Sequence, residues 1–100
     1  MDNQQEIIWA IRKCLAVQPV EKAWLFGSFA RGEQTDDSDI DILFVPQQGK
    51  PFSLLTYAHI RRELQNAIHR NVDFVADGTL RPFVAKNVEK EKKLIYERKN

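Results

Sequence analysis

The stretch Gly27–Val45, GSFARGEQTDDSDIDILFV, contains the residues from which the fold and the chemistry of this chain are predicted. It opens on a glycine–serine turn, and ten residues separate Ser28 from Asp39, which stands with Asp41 at the start of an apolar run. Side chains two positions apart on a strand share a face, so both carboxylates are expected to point the same way. They repel each other unless a cation lies between them or one takes up a proton. The pair therefore predicts a site for a hard divalent cation, which prefers oxygen ligands.

The glycine turn predicts a phosphate site beside that cation. Gly27 leaves backbone N–H groups uncovered, and Ser28 adds a hydroxyl. A short helix from Ser28 to Arg31 is expected to begin there, with its N-terminus facing the anion. Asp39 and Asp41 are interpreted as metal ligands rather than surface residues, because aspartate is depleted in strands.

Two other binding loops are excluded by spacing. An EF-hand that began at Asp37 would need glycine at its sixth position, where this chain has Ile42. A P-loop would need lysine and then serine or threonine after its second glycine, and neither follows Gly32.

The rest of the chain alternates between helical and strand patterns. Three longer helices are predicted: from a cap at Asp2 to about Val17, from a cap at Ser53 to about His69, and from Pro82 onward. Apolar strands are predicted over 20–26, 39–45 and 72–76, while 94–96 either continues the last helix or forms an edge strand. The run 89–93 is interpreted as a solvated charged face, because acids and bases alternate in it.

This order of elements predicts an α/β fold, with helices flanking a mixed sheet of three to four strands. The long helical link between the second and third strands predicts a parallel crossover, and the short loop after the first strand predicts an antiparallel pair. The third-strand residue Asp73 is then expected to meet Asp39 and Asp41 at the end of the sheet that carries the glycine turn.

Composition sets the remaining bounds. The length of 100 residues predicts one domain over 1–100. The single cysteine excludes an internal disulfide. The net charge is +1. The near-zero charge gives no reason to expect direct nucleic-acid binding. No apolar run reaches membrane-spanning length, and the polar N-terminus lacks a signal-peptide pattern, so we expect a cytoplasmic protein without a membrane partner.

The spacing of Gly27-Ser28 and Asp39-x-Asp41 resembles the signature of the DNA polymerase β-like nucleotidyltransferase superfamily, and GSFARGE with SDIDILF resembles its minimal nucleotidyltransferase (MNT) branch. VDFV around Asp73 is similar to the strand of the third carboxylate, and LIYE at 94–97 to the usual ending. The resemblance covers about 20–97, the expected core of a polymerase-β-like domain.

The resemblance implies transfer of a nucleoside monophosphate from a triphosphate such as ATP to a hydroxyl. Asp39 and Asp41 would hold two Mg²⁺ ions, with Mn²⁺ equally suited to such ligands. Asp73 would bind the second metal and accept the proton of the acceptor. Gly27 and Ser28 would hold the phosphates, whereas Arg31 would either contact phosphate or serve the short helix structurally.

The resemblance also implies a partner, because the bare core leaves almost no sequence for recognising an acceptor. It points to MNT antitoxins, which transfer AMP to a tyrosine of a HEPN-type RNase toxin in a hetero-oligomer. Two alternatives stay open: a transferase subunit acting on a small molecule, as aminoglycoside nucleotidyltransferases do, and a non-catalytic antitoxin that masks its partner.

Overall fold

The computed structural model describes residues 4–99, and in that range the chain forms four helices and four strands. In chain order these are α1 (Gln4–Leu15), β1 (Val20–Phe26), α2 (Ser28–Arg31), β2 (Ile40–Pro46), α3 (Leu54–Ile68), β3 (Val72–Ala76), α4 (Pro82–Glu91) and β4 (Lys93–Glu97). The α/β prediction is confirmed, and residues 94–96 form a strand rather than a continuation of α4. The proposed cap at Asp2 lies outside the described residues.

The strands form one mixed sheet in the order β3-β2-β1-β4. β1 pairs antiparallel with β2 and with β4, whereas β2 and β3 are parallel and are joined through α3. Both predicted strand directions are therefore confirmed. The parallel pair brings the starts of β2 and β3 to the end of the sheet where β1 finishes in the glycine turn.

The two faces of the sheet are covered by different helices. α1 and α3 bury their apolar stripes against one face, in a cluster that includes Ile11, Leu64 and the β2 residues Ile40 and Ile42. The opposite face carries a smaller cluster, in which Phe26 and Leu43 pack against Val88 of α4. Because side chains alternate along β2, Asp41 points to the same side as Leu43, toward α4.

The helix ends follow local signals with some departures. The Ser53 hydroxyl accepts a hydrogen bond from the Thr56 N–H at 3.1 Å, which confirms the predicted cap of α3. α1 ends at Leu15 rather than near Val17, and Phe83 of α4, expected on its apolar side, is 68% exposed. Among residues 4–99 no helix combines the length and the hydrophobicity that a membrane crossing requires.

Candidate active site

Three carboxylates lie at the end of the sheet where β2 and β3 begin. Asp41 on β2 is the register partner of Asp73 on β3, and on its other side it is paired with Phe26 of β1. Asp39 lies two residues earlier, immediately before β2 starts. The structure thus places the three predicted carboxylates at one end of the sheet, with Asp41 partly buried and the other two exposed.

Asp41 lies in an environment that disfavours its negative charge. The pKa of its carboxyl is raised from 3.8 to about 6 by burial first, and then by repulsion from Asp73 and Asp39, while Arg31 opposes the shift. A cation bound next to this carboxyl would favour its charged form instead.

The carboxylates do not form a ready-made metal cage. Within residues 4–99, no three acidic, histidine or cysteine side chains are grouped closely enough to hold a metal ion as they stand. Mg²⁺, however, is usually bound through one or two carboxylates together with water and substrate phosphates. The residues present fit a metal that arrives with a phosphorylated substrate, and they do not fit a permanent structural ion.

The glycine turn lies directly against Asp41. Gly27 follows β1 with φ 71° and ψ −150°, a backbone region that is essentially restricted to glycine. A Cβ atom at this position would overlap Oδ2 of Asp41. Only a residue without a side chain allows the glycine turn and the carboxylate of Asp41 to come this close.

The short helix predicted after the turn is present as α2, a single turn of four residues from Ser28 to Arg31. One turn carries too few aligned peptide units for a substantial dipole. The attraction of this turn for an anion therefore depends on its individual N–H groups and the Ser28 hydroxyl, not on a helix dipole.

Glu91, which we interpreted as part of a solvated charged face, instead contacts this turn. Its Oε2 accepts a hydrogen bond from the Gly27 N–H at 2.6 Å, and its carboxylate pairs with Nη1 of Arg31 at 3.1 Å. Arg31 also donates to Glu33 at 2.9 Å. The antiparallel pairing of β4 with β1 brings the end of α4 beside the end of β1, and no pattern in the sequence indicates this contact.

Arg70 is a second residue that the sequence analysis missed. Its Nη1 donates hydrogen bonds to the carbonyl oxygens of Thr35, Asp36 and Ser38, at 3.2, 3.0 and 3.1 Å. Its guanidinium also lies 5.4 Å from the centre of the Phe29 ring. Arg70 therefore connects the loop that precedes Asp39 with α2 and with the end of α3.

We expect Arg70→Ala to loosen that loop. Loss of hydrogen bonds from a charged donor should lower the free energy of unfolding by about 1–2 kcal/mol. It should also slow the transfer reaction that the sequence resemblance implies about tenfold, because Asp39 loses its fixed position. Thermal unfolding and a transfer assay measure the two effects. Arg62→Ala, an exposed position on α3, is the matched control, and equal behaviour of the two variants would contradict the anchoring role.

Comparison with known proteins identifies nucleotidyltransferases as the relatives of this chain. A family model described as Polymerase beta, Nucleotidyltransferase matches residues 10–100. A protein of Methanocaldococcus jannaschii, described as a candidate protein adenylyltransferase, is 35% identical over 89 residues, which is 89% of this chain and 94% of that protein. The protein adenylyltransferase MntA of Thermococcus cleftensis is 38% identical over 72 residues, 72% of this chain and 71% of that one.

Solved structures show the same fold. One described as a candidate minimal nucleotidyltransferase is 30% identical and superposes with a TM-score of 0.71, covering 86% of both chains. A toxin–antitoxin structure with AMP-PNP gives a TM-score of 0.70 at 23% identity, over 97% of this chain and 75% of that one. A complex of tri-AMPylated Shewanella oneidensis HEPN toxin with MNT antitoxin gives 0.69 at 20% identity, over 96% and 74%.

Proposed function

This chain belongs to the polymerase β nucleotidyltransferase family, and from that membership we propose that it is an antitoxin that transfers AMP from ATP to a tyrosine of a HEPN-type toxin. The observation that carries the proposal is the position of Asp41. Its carboxylate lies against the backbone of Gly27 and beside Asp73. A nucleotide whose phosphates bind at the glycine turn would reach the carboxylates directly.

In the proposed reaction the hydroxyl oxygen of the acceptor attacks the α-phosphorus of ATP, and the bond from that phosphorus to the bridging oxygen breaks, so pyrophosphate leaves. Asp39 and Asp41 would hold two divalent ions, with Asp73 as a further ligand of one of them. Such ions neutralise the charge of the triphosphate and lower the pKa of the acceptor hydroxyl. Asp73, which is exposed, would take up the proton of the acceptor hydroxyl.

The phosphates would be held on the other side of the site. Gly27 offers its backbone N–H, Ser28 its hydroxyl, and Arg31 a guanidinium that forms charge-assisted hydrogen bonds to oxyanions. Of the two readings of Arg31, we propose the phosphate contact, because its guanidinium is already within 3.2 Å of an anionic group at the turn. Mg²⁺ is the proposed ion, and Mn²⁺ would suit the same ligands.

The acceptor and the partner are proposed from the relatives. The Thermococcus protein is named as a protein adenylyltransferase, and an antitoxin of the same fold is bound to an AMPylated HEPN toxin. We therefore propose a hetero-oligomer with a HEPN-type protein, in the cytoplasm.

Intact mass spectrometry tests the proposal. A candidate HEPN-type toxin is incubated with this chain, ATP and Mg²⁺, and a second sample contains the Asp39→Asn, Asp41→Asn variant instead. We expect the toxin to gain the mass of one or more AMP units in the first sample only, and to lose its RNase activity in parallel.

The other outcomes separate the alternatives. A toxin that is silenced without any gain in mass, and equally by the double variant, would show a masking antitoxin rather than a transferase. A toxin that neither gains mass nor loses activity would exclude that toxin as the acceptor.

A further inference from the structure

We propose that the Glu91 carboxylate occupies the place of a nucleotide phosphate at the glycine turn, and that ATP must displace it in order to bind. The inference rests on the proposed function and adds a residue to it. Glu91 would thus compete with weakly binding anions for the glycine turn, and a triphosphate with its metal would bind strongly enough to displace it.

The contacts of Glu91 are those that a phosphate would make. Its carboxylate accepts the Gly27 N–H at 2.6 Å, and both of its oxygens lie within 3.2 Å of Nη1 of Arg31. A backbone N–H in a glycine turn and a guanidinium are also the donors that an anionic phosphate oxygen prefers. The side chain of Glu91 is only 20% exposed, so this carboxylate is held in the site rather than in solvent.

Carboxylate and phosphate cannot use these donors together. The Gly27 N–H has a single hydrogen to donate, and two anions at that distance repel each other strongly. The charge of Glu91 also acts on Asp41, where it contributes to the raised pKa of that carboxyl. A bound triphosphate would therefore meet Glu91 as a competing anion, on the same side as the metal-binding carboxylates.

The position of Glu91 in α4 makes the displacement feasible. Glu91 is the last residue of the helix, so its side chain can rotate away without breaking the helical hydrogen bonds of the preceding turns. A negative charge at the C-terminus of a helix is unfavourable. The contacts with Gly27 and Arg31, rather than the helix, must hold the carboxylate in place.

Isothermal titration of the whole chain with ATP and Mg²⁺ tests this inference. We expect Glu91→Gln to bind about tenfold more tightly than the unmodified chain, the scale of one charge-assisted hydrogen bond that no longer has to be broken. Glu89→Gln is the matched control. It removes the same charge from the same helix, but Glu89 is paired with Lys92 and does not contact the turn, so its affinity should be unchanged.

Thermal unfolding distinguishes competition from a merely structural role. Without nucleotide, Glu91→Gln should unfold at a lower temperature than the unmodified chain, because the contacts at Gly27 and Arg31 are weakened. With saturating ATP and Mg²⁺ the two proteins should unfold at about the same temperature, because the tighter binding of nucleotide offsets the contacts that the free variant has lost. A structural role would lower both temperatures.

Unchanged or weaker ATP binding by Glu91→Gln, with normal binding by the unmodified chain, would overturn the inference and leave the proposed function standing. If neither protein binds ATP, even with the competing charge removed, the proposed function fails and the inference fails with it.

Discussion

Replacement of Asp41 by asparagine should abolish nucleotidyl transfer and at the same time stabilise the metal-free protein at neutral pH. Loss of a residue that supports a metal ligand only indirectly already costs about 10- to 100-fold in activity. Asp41 is proposed as a direct ligand, so we expect transfer to fall by at least about a thousandfold. The gain in stability follows from the environment of the carboxylate, which disfavours its charge.

The pH dependence has a definite sign. The pKa of Asp41 is about 6 in the folded protein and 3.8 as the ordinary value, so between these values the folded state binds more protons than the unfolded state. Stability is then lost as pH rises from about 4 to about 6, and it stays lower above that window. Asp41 is half-exposed, and solvent screening reduces the loss to the order of 1 kcal/mol, or roughly 5 °C in melting temperature.

Melting temperatures in EDTA at pH 5 and pH 7 test this expectation. The unmodified chain should lose stability between these values, whereas Asp41→Asn should lose less, and Asp77→Asn, an exposed position in the turn after β3, should behave like the unmodified chain. Mg²⁺ at pH 7 should restore more stability to the unmodified chain than to Asp41→Asn. A variant that melts several degrees lower than the unmodified chain at pH 7 would contradict the electrostatic interpretation.

Replacement of Gly27 by alanine should damage both the fold and the site. The backbone at Gly27 has φ 71° and ψ −150°, and a residue other than glycine in such a region costs on the order of 1–3 kcal/mol. The added Cβ would also overlap Oδ2 of Asp41 and force that carboxylate to move. A displacement of about 1 Å in a reacting group is enough to slow catalysis about a hundredfold.

Gly32→Ala is the matched control for this substitution. Gly32 also has a positive φ, 73°, but its ψ is 21°, and an added Cβ would have no atom within 4 Å. We expect it to lower the free energy of unfolding by about 1 kcal/mol while transfer stays close to normal. If both variants lose activity equally when measured at a temperature where both are folded, backbone strain rather than the contact with Asp41 explains the effect.

Local rules were sufficient for most of the framework. β1 and β3 have the predicted bounds, β2 begins one residue later than expected, and the strand directions followed from loop length and from the crossover through α3. The start of α3 was predictable because Ser53 is a good cap residue. The chain from 94 to 96 was ambiguous, since a short apolar run fits either a helix or an edge strand, and only pairing with β1 settles it.

The sequence by itself determined that Asp41 and Asp73 meet beside the turn at Gly27, because strand periodicity and crossover handedness are properties of the chain that hold whatever the side chains pack against. Only the tertiary structure decided which charges surround that turn. Glu91 reaches Gly27 across 64 positions, and Arg70 reaches the loop before Asp39 across 32 to 35. No local pattern encodes such contacts, because they depend on where the ends of separate elements come to lie. The raised pKa of Asp41 was only partly predictable, because the sequence indicated the repulsion between the carboxylates but not the burial that is its first cause.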